Sequence, residues 1–315
     1  MAEIMMLPEG ISLVVPVYNS AATVMELVER TEKTLVQLGK SFEMILVEDG
    51  SIDDSWKQVR LAAEGRPWVI PIRLTRNYGQ HNALLCGLRR ARFSHTVTMD
   101  DDLQHPPEAI GLLYQSLQEW DVVYGTAVTQ QQKPLRSFAS TVVRYVLSKT
   151  MGTEAARHIS AFRIFRTELR RGFSDYQSPF VSIDVLLSWT TSRFSYITVE
   201  HHPRKTGRSN YTFRKLISHT ANLITGFSVL PLQVASITGL LATAVGAALL
   251  LFLLLRKAIA GSAVPGFTFL ASAITMFSGV QLFALGLIGE YLARVHVRSM
   301  GRLAYLESSD SWPPE

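Results

Sequence analysis

Short apolar runs alternate with amphipathic segments over the first 125 residues, and this alternation constrains the fold more than any other feature of the 315-residue chain. The apolar runs are rich in β-branched residues and lie at residues 11–17, 42–47, 69–74, 95–99 and 121–125. The segments between them have helical spacing of apolar residues and lie at residues 21–38, 53–63, 79–92 and 106–119. Strands that alternate with helices of this length are typical of a parallel, doubly wound α/β sheet.

Polar residues follow four of the predicted strands at the point where each strand ends. They are Tyr18 and Asn19, Glu48 and Asp49, Arg76 and Asn77, and Asp100 to Asp102. Parallel strands bring their carboxyl ends to one edge of the sheet, which is where open α/β sheets bind ligands. We therefore expect these polar groups to form a single site.

Three consecutive carboxylates, Asp100, Asp101 and Asp102, with Gln104 close behind, are the most informative part of this site. Adjacent carboxylates repel each other unless a cation lies between them, and oxygen ligands suit a Mg²⁺ or Mn²⁺ ion that also binds a diphosphate. A solvated turn is the alternative that the motif alone leaves open, but the other polar groups at the same edge favour the metal. Neither G-x-G-x-x-G nor G-x-x-x-x-G-K-[ST] follows these strands, which argues against a dinucleotide site and a P-loop.

The hydrophobic surplus of the chain lies near its C-terminus. Hydrophobic residues make up 47% of the sequence, and residues 230–255 and 267–289 contain no charged residue. Each run exceeds the roughly 20 apolar residues that cross a bilayer as a helix. A buried core helix is the alternative, but two such runs joined by the turn-forming segment 256–266 predict a transmembrane hairpin.

Basic residues flank the predicted hairpin on both outer sides and give its orientation. They are Arg204, Lys205, Arg208, Arg214 and Lys215 before the first span, and Arg294, Arg298 and Arg302 after the second. The positive-inside rule then places both termini in the cytoplasm, so we expect a multi-pass protein of the inner (cytoplasmic) membrane. The net charge of +5 predicts contact with membrane lipid and phosphorylated substrates, and the position of the basic residues argues against nucleic acid.

The chain thus divides into predicted regions: an α/β domain at 1–203, an amphipathic juxtamembrane segment at 204–229, spans at 230–255 and 267–289, and a cytoplasmic tail at 290–315. A solvated basic helix is the alternative for the juxtamembrane segment.

Cys86 is the only cysteine and lies in an apolar helical stretch, so it is predicted to be a core residue in a reducing compartment. Glycines in the spans would allow close helix contacts in a homo-oligomer; they are Gly239, Gly246, Gly279 and Gly286.

Several segments occur in an order that resembles a known family. They are Pro16-Val17-Tyr18-Asn19, Glu48-Asp49-Gly50-Ser51, Arg76-Asn77-Tyr78-Gly79-Gln80-His81, residues 100–108, Phe162-Arg163 and residues 204–211. Together with the hairpin, this order is similar to the family 2 glycosyltransferases of the GT-A fold. More narrowly, it resembles the polyprenyl-phosphate glycosyltransferases, which include dolichol-phosphate mannose synthase and the bacterial undecaprenyl-phosphate sugar transferases.

The resemblance implies a role for each matching residue. It implies a nucleoside pocket at Pro16, Tyr18, Glu48 and Asp49, with Asn19, Arg76, Asn77 and Asp101 completing the nucleotide-sugar site. It implies a Mg²⁺ or Mn²⁺ site at Asp100, Asp102 and Gln104, and phosphate contacts at Arg136, Arg163, Arg204 and Ser209. Asp102, Arg163 and Arg204 would be the catalytic residues, and simple attraction to lipid headgroups is the alternative for Arg204.

Three departures from the family pattern are visible. Ser20 stands where relatives usually have an acidic residue. Thr126-Ala127 follows Gly125 where relatives often have an arginine, so only Arg136 is left to serve the loop over the active site. Ser160-Ala161 precedes Phe162 where relatives often carry an aspartate. His158 could act as a base in its place, although a surface histidine is the simpler interpretation.

The resemblance implies transfer of a sugar from a UDP- or GDP-linked donor to polyprenyl (undecaprenyl) phosphate, in cell-envelope chemistry such as lipopolysaccharide synthesis. A phosphate monoester has a second pKa of about 6, so the acceptor is largely dianionic at neutral pH and needs no strong base. Direct displacement would invert the anomeric carbon. Two alternatives stay open: transfer onto a lipid-linked glycan or growing polymer, and a catalytically silent membrane protein that binds a sugar nucleotide.

Overall fold

The computed structural model describes residues 7–127, 158–179, 181–202 and 266–311, together with scattered residues between 232 and 259. The strands are β1 (Ile11–Val17), β2 (Phe42–Glu48), β3 (Val69–Arg73), β4 (His95–Thr98), β5 (Val122–Ala127), β6 (Arg163–Arg166) and β7 (Phe194–Val199). The helices are α1 (Val24–Gln37), α2 (Ser55–Ala63), α3 (Gln80–Arg90), α4 (Ile110–Ser116), α5 (Ile183–Ser188) and α6 (Gly266–Ser299). Short 3-10 turns lie at Pro107–Ala109, Leu117–Glu119 and Thr167–Phe173.

The described strands form one seven-stranded sheet in the order β3-β2-β1-β4-β6-β5-β7. Strands β3, β2, β1 and β4 are mutually parallel, β5 is parallel to β7, and β6 runs antiparallel between β4 and β5. The chain moves outward from β1 through β2 to β3 and then returns to the other side of β1 with β4. A sheet of this kind binds ligands at the point where the strand order reverses, which is here the carboxyl ends of β1 and β4.

The core explains why the first strand is apolar at every position except Ser12. All seven residues of β1 are buried, as expected of a central parallel strand with helices over both faces. Gly87 lets α3 lie close to the sheet, because a Cβ atom at that position would come within 2.4 Å of Val14 Cγ1. The rigid centre of the sheet therefore fixes where the loops after β1 and β4 begin.

The five strands predicted at residues 11–125 are confirmed, while the predicted helix 106–119 is replaced by α4 with a 3-10 turn on each side. Pro106 and Pro107 lie at the N-cap and the first position of the first 3-10 turn, where a missing backbone N–H is tolerated. The elements β6, α5 and β7 were not predicted.

Contacts divide the chain into two units, one within Met1–Ile217 and Gly301–Glu315 and the other within Ser218–Met300. The second unit contains α6, 34 residues long, whose large apolar side chains are strongly exposed. They include Leu270, Ile274, Leu282, Phe283, Leu285, Ile288, Leu292 and Val295. In the part of the chain that the structure describes, no helix reaches the combined length and apolarity of a membrane span. The predicted span 267–289 lies within α6, residues 230–255 are described only in part, and all of 204–229 lies outside the described residues.

Candidate active site

The acidic loop after β4 is attached to the loop after β1 through Asp101. This side chain is 9% exposed, and the backbone N–H of Tyr18 donates to its Oδ2 atom at 3.0 Å. Burial raises the pKa of Asp101, and the hydrogen bonds that it accepts only partly oppose this shift. The central carboxylate of the cluster therefore holds two loops together across the switch point of the sheet.

The turn that follows the cluster is strained. Leu103 is 2% exposed and has a φ of 58°, in the left-handed region that a bulky residue rarely adopts. Such a conformation costs about 1–3 kcal/mol and persists where the surroundings enforce it, often at functional sites. The turn brings the Gln104 N–H within 3.1 Å of Asp102 Oδ1 and leaves Asp100, Asp102 and Gln104 half-buried, within reach of solvent.

Asp100 contacts the start of α3. The Gln80 side chain donates from Nε2 to Asp100 Oδ1 at 2.5 Å. Gly79, directly before the helix, has a φ of 95°, which a side chain would disfavour. Because the N-terminal end of a helix carries a partial positive charge, this position favours negative groups close to Asp100.

Asp49 binds the backbone of a neighbouring loop with both carboxylate oxygens. The N–H groups of Tyr78 and Gly79 donate to them at 2.7 and 2.8 Å. Burial raises the pKa of Asp49 to about 6, although these two hydrogen bonds favour the ionised form. A Cβ atom at Gly50 would lie 2.4 Å from the Arg76 carbonyl carbon, so the loops after β2 and β3 are in direct backbone contact. Asp49 thus fastens the loop that carries Arg76 and Asn77.

Glu48 and Asn19 join the loops after β1 and β2. Glu48 is fully buried; Ser51 N–H donates to its Oε1 atom, and Arg73 Nε lies 3.3 Å from Oε2 as an ion pair without hydrogen-bond geometry. Ile52 N–H donates to Asn19 Oδ1 at 3.0 Å, and Ser51 Oγ accepts from Asn19 N–H at 3.0 Å. These contacts engage one oxygen of each side chain, Glu48 Oε1 and Asn19 Oδ1, and join the loops after β1 and β2.

The remaining predicted nucleoside residues differ in exposure. Pro16 is buried within β1, opposite Val47 of β2. Tyr18 is 41% exposed at the carboxyl edge. Arg76 and Asn77 are exposed, and the Arg76 guanidinium lies 4.7 Å from the centroid of the Tyr78 ring. Among these residues, Tyr18, Arg76 and Asn77 are the ones whose side chains are open to a ligand.

Arg163 was predicted to contact a phosphate, but its guanidinium is buried and is not open to one. It is 1% exposed, forms an ion pair with Asp184 through Nη1, and donates from Nε to Thr98 Oγ1 at 3.0 Å. Tyr124 Oη donates to the same Asp184 carboxylate at 2.9 Å. Burial lowers the pKa of Arg163, but Asp184 and Tyr124, with Asp100, outweigh it, so the net shift is upward and the group is charged.

Asp184 was not among the residues predicted for the site. The available signal was one carboxylate inside the apolar stretch Ile183–Ser188, which indicates a buried acid that needs a partner. Nothing in the sequence identified Arg163 as that partner.

Histidines lie beside the acidic loop. The His105 ring stacks on Phe162 at 5.3 Å and meets His201 edge-on at 5.1 Å between centroids. Burial, followed by the repulsion of His201, lowers the pKa of His105 to about 4, so it is neutral at pH 7. His158, a predicted alternative base, stacks on Tyr196 at 3.7 Å between ring centroids.

Three predicted phosphate-binding residues, Arg136, Arg204 and Ser209, lie outside the described residues. Over the ranges that the structure covers, no three His, Cys, Asp or Glu side chains form a metal-binding group by themselves. The acidic loop instead offers Asp100 and Asp102 with the neighbouring Gln104.

The sheet order, the antiparallel β6 and the acidic loop at the switch point define a GT-A-type α/β fold. Solved structures agree: glucosyl-3-phosphoglycerate synthase from Mycobacterium tuberculosis, in complex with Mn²⁺ and UDP-glucose, matches with a TM-score of 0.52 at 15% identity, over 69% of this chain and 77% of that chain. The same enzyme with phosphoglyceric acid also gives 0.52, over 70% and 80%. At this identity the likeness concerns the fold alone.

Sequence comparison gives the family. Residues 12–174 match the description "Glycosyl transferase family 2". The chain is 34% identical over 290 residues to undecaprenyl-phosphate 4-deoxy-4-formamido-L-arabinose transferase of Pseudomonas aeruginosa (strain LESB58), covering 91% of this chain and 86% of the relative. The enzyme of that name from Proteus mirabilis (strain HI4320) is also 34% identical, with 91% and 89% covered. The chain therefore belongs to glycosyl transferase family 2 and is a glycosyltransferase.

Proposed function

We propose that this glycosyltransferase moves a sugar from a nucleotide-sugar donor to polyprenyl phosphate, with undecaprenyl phosphate as the acceptor. The observation that carries the proposal is the acidic loop at the switch point, where Asp101 is turned inward to Tyr18 while Asp100 and Asp102 stay half-buried. The names of the relatives supply the acceptor class. A UDP- or GDP-linked sugar is the donor class that fits a diphosphate-binding acidic loop.

Asp100, Asp102 and Gln104 fit a divalent cation. Mg²⁺ is commonly held by one or two carboxylates together with substrate phosphates, so two accessible carboxylates and an amide form a sufficient donor set. The solved GT-A relative binds Mn²⁺ together with UDP-glucose. When bound, Mg²⁺ or Mn²⁺ supplies Lewis-acid stabilisation of the leaving nucleoside diphosphate.

The three loops at the carboxyl edge bind the nucleotide in this proposal. Tyr18, Arg76 and Asn77 contact it, since their side chains are exposed. Glu48 and Asp49 act by holding those loops, since the protein already engages their carboxylates.

The acceptor phosphate attacks the anomeric carbon, the bond to the nucleoside diphosphate breaks, and the configuration inverts. The phosphate oxygen is already deprotonated at neutral pH, so no residue must remove a proton. Arg136, Arg204 and Ser209 are the proposed phosphate contacts, because arginine offsets the repulsion between two phosphate-bearing substrates.

We also propose that the segments 230–255 and 267–289 insert as a hairpin into the inner membrane, with the α/β domain on the cytoplasmic side. The exposed apolar side chains of α6 support this arrangement, because water would disfavour such a surface. Insertion keeps the active site near the headgroups, where the phosphate of a polyprenyl lipid lies.

The test uses the purified full-length chain in lipid nanodiscs with radiolabelled UDP- and GDP-sugars, Mn²⁺ and undecaprenyl phosphate. We expect label on the lipid phosphate, and loss of transfer when Mn²⁺ is removed by EDTA. Asp102→Ala should lower transfer by roughly 100-fold or more, while Asp175→Ala, a matched change of an exposed aspartate outside the loop, should not.

Other outcomes of this assay have definite meanings. If label moves to an added lipid-linked glycan but not to undecaprenyl phosphate, a lipid-linked glycan or polymer would replace the proposed acceptor. Nucleotide binding without transfer in any combination would favour a catalytically silent protein. Full activity of Asp102→Ala would remove the metal role of the acidic loop.

A further inference from the structure

Residues 301–311, here called the C-terminal strap, pack on the α/β domain rather than belonging to the unit that contains α6. The strap pairs antiparallel with the chain just after β3, through a bridge between Leu74 and Glu307. Thr75 N–H donates to the Leu306 carbonyl at 3.0 Å, and Ser308 N–H donates to the Arg73 carbonyl at 2.7 Å. The strap therefore covers the open edge of the sheet at the place where the loop carrying Arg76 and Asn77 begins.

A second set of contacts joins the strap to α3, the helix that follows the same loop. Glu307 accepts from Arg90 Nη2 at 3.0 Å and from the Cys86 thiol at 3.4 Å. Arg89 Nη1 donates to Tyr305 Oη at 3.1 Å. One peptide segment thus contacts both the start of the 74–79 loop and the C-terminal half of the helix that follows this loop. The segment is far away in the sequence, since 221 residues separate Cys86 from Glu307.

A third contact reaches towards the nucleoside pocket. Asp310 Oδ2 lies 3.3 Å from Arg73 Nη1, and Arg73 Nε lies 3.3 Å from Glu48 Oε2. Ser311 also exchanges hydrogen bonds with the Arg73 backbone, at 3.0 and 3.1 Å. The other oxygen of Glu48 accepts from Ser51, which binds Asn19 in turn. A chain of polar contacts therefore runs from the strap to the loops after β1 and β2.

We propose that the C-terminal strap is a positioning element of the donor site, in which Glu307 and Asp310 hold the 74–79 loop and the Arg73–Glu48 pair in the arrangement that binds the nucleotide. The inference rests on the proposed function, because it assigns these loops to the nucleotide. Neither Glu307 nor Asp310 touches the substrate in this proposal; each acts through another residue.

Linkage gives the proposal a measurable consequence. If the docked strap favours nucleotide binding, then bound nucleotide must favour the docked strap by the same factor. Cys86 reports docking directly, since it is the only cysteine, is fully buried and contacts Glu307. Burial, with the neighbouring Glu307 carboxylate, holds the pKa of this thiol well above its usual range, so it reacts slowly while the strap is docked.

The experiment measures maleimide labelling of Cys86 and the Kd for UDP and GDP, both in the full-length chain with Mg²⁺. Whichever nucleotide binds should slow labelling of the parent chain. Glu307→Ala should speed labelling and weaken nucleotide binding about 5- to 10-fold, with a matching rise in donor KM and little change in kcat. Glu307→Gln retains an acceptor oxygen and should restore part of the affinity. Glu29→Gln, an exposed acid on α1, is the control.

Asp310→Asn keeps the shape of the side chain at an exposed position and tests the same inference if Glu307→Ala fails to fold. We expect it to raise the nucleotide Kd with a parent-like melting temperature. The inference would be overturned if Glu307→Ala speeds the labelling of Cys86 but leaves the nucleotide Kd and the donor KM unchanged. If the Glu307→Ala protein cannot be made, a parent-like nucleotide Kd in Asp310→Asn would overturn it. Failure of the parent chain to bind any nucleotide would instead count against the proposed function.

Discussion

Replacement of Arg163 by Met would leave the Asp184 carboxylate buried without its guanidinium partner. Arg163 is 1% exposed, and the side chain of Asp184 is 11% exposed, so water cannot replace the lost contact well. Removing one partner of a buried ion pair costs about 3–5 kcal/mol. For a folded unit of about 200 residues this corresponds to a fall in Tm of roughly 6–20 °C.

The assay is thermal unfolding of the full-length chain in detergent, followed by tryptophan fluorescence. Arg193→Met is the control, because Arg193 is 60% exposed and lies 3.9 Å from Asp121, so its loss should cost at most about 1 kcal/mol. The double variant Arg163→Met/Asp184→Asn removes both charges and keeps an oxygen for the Tyr124 hydroxyl. It should recover most of the lost Tm, since replacing a whole buried pair by neutral groups is often nearly neutral.

A substrate contact at Arg163 would give the opposite pattern. The single variant would then keep the parent Tm and lose transfer, and the double variant would stay inactive at the same Tm. That result would refute the assignment of Arg163 to the structural core.

Two further predictions concern the loops of the donor site. Burial raises the pKa of Asp49 from 3.8 to about 6, so between these pH values the folded chain retains a proton that the unfolded chain releases. As the pH rises through this window, the Tm of the parent should therefore fall relative to the Tm of Asp49→Asn. Parallel pH profiles of the two Tm values would contradict this prediction. Gly50→Ala would put a methyl group 2.4 Å from the Arg76 backbone and should raise donor KM roughly 10-fold. Gly65→Ala has a similar φ of 71° with nothing within 4 Å, so an equal rise there would rule out the loop contact as the cause.

Much of the α/β sheet could be predicted because its parallel strands are buried on both faces. The predominantly apolar runs at β1 and β2 leave few alternatives, and the polar residues after them must then lie at one edge. The position of the acidic loop next to Tyr18 follows from this topology, and the hydrogen bond between Tyr18 and Asp101 confirms it.

The roles of individual charged residues could not be predicted in the same way. An arginine that binds a phosphate and an arginine that pairs with a buried acid look the same in the sequence, since each follows an apolar residue. Only the burial of Arg163 in the structure distinguishes the two roles. The same holds for Asp49, whose two oxygens bind backbone N–H groups that carry no sequence signal. The strap contacts depend on pairs such as Cys86 and Glu307, which no local pattern connects.

The carboxylates at the sheet edge divide into two kinds by how their charge is satisfied. Asp49 and Asp101 accept backbone N–H groups inside the protein, and these bonds offset part of the cost of burial. Because these N–H groups belong to the loops after β1 and β3, the two residues hold those loops in place before any ligand arrives. Asp100 and Asp102 are only half-buried, which leaves them accessible to the divalent cation that we propose. Asp49 and Asp101 thus hold the loops around Asp100 and Asp102 in place. We therefore expect substitutions of Asp49 or Asp101 to weaken donor binding, even though neither residue needs to touch the donor.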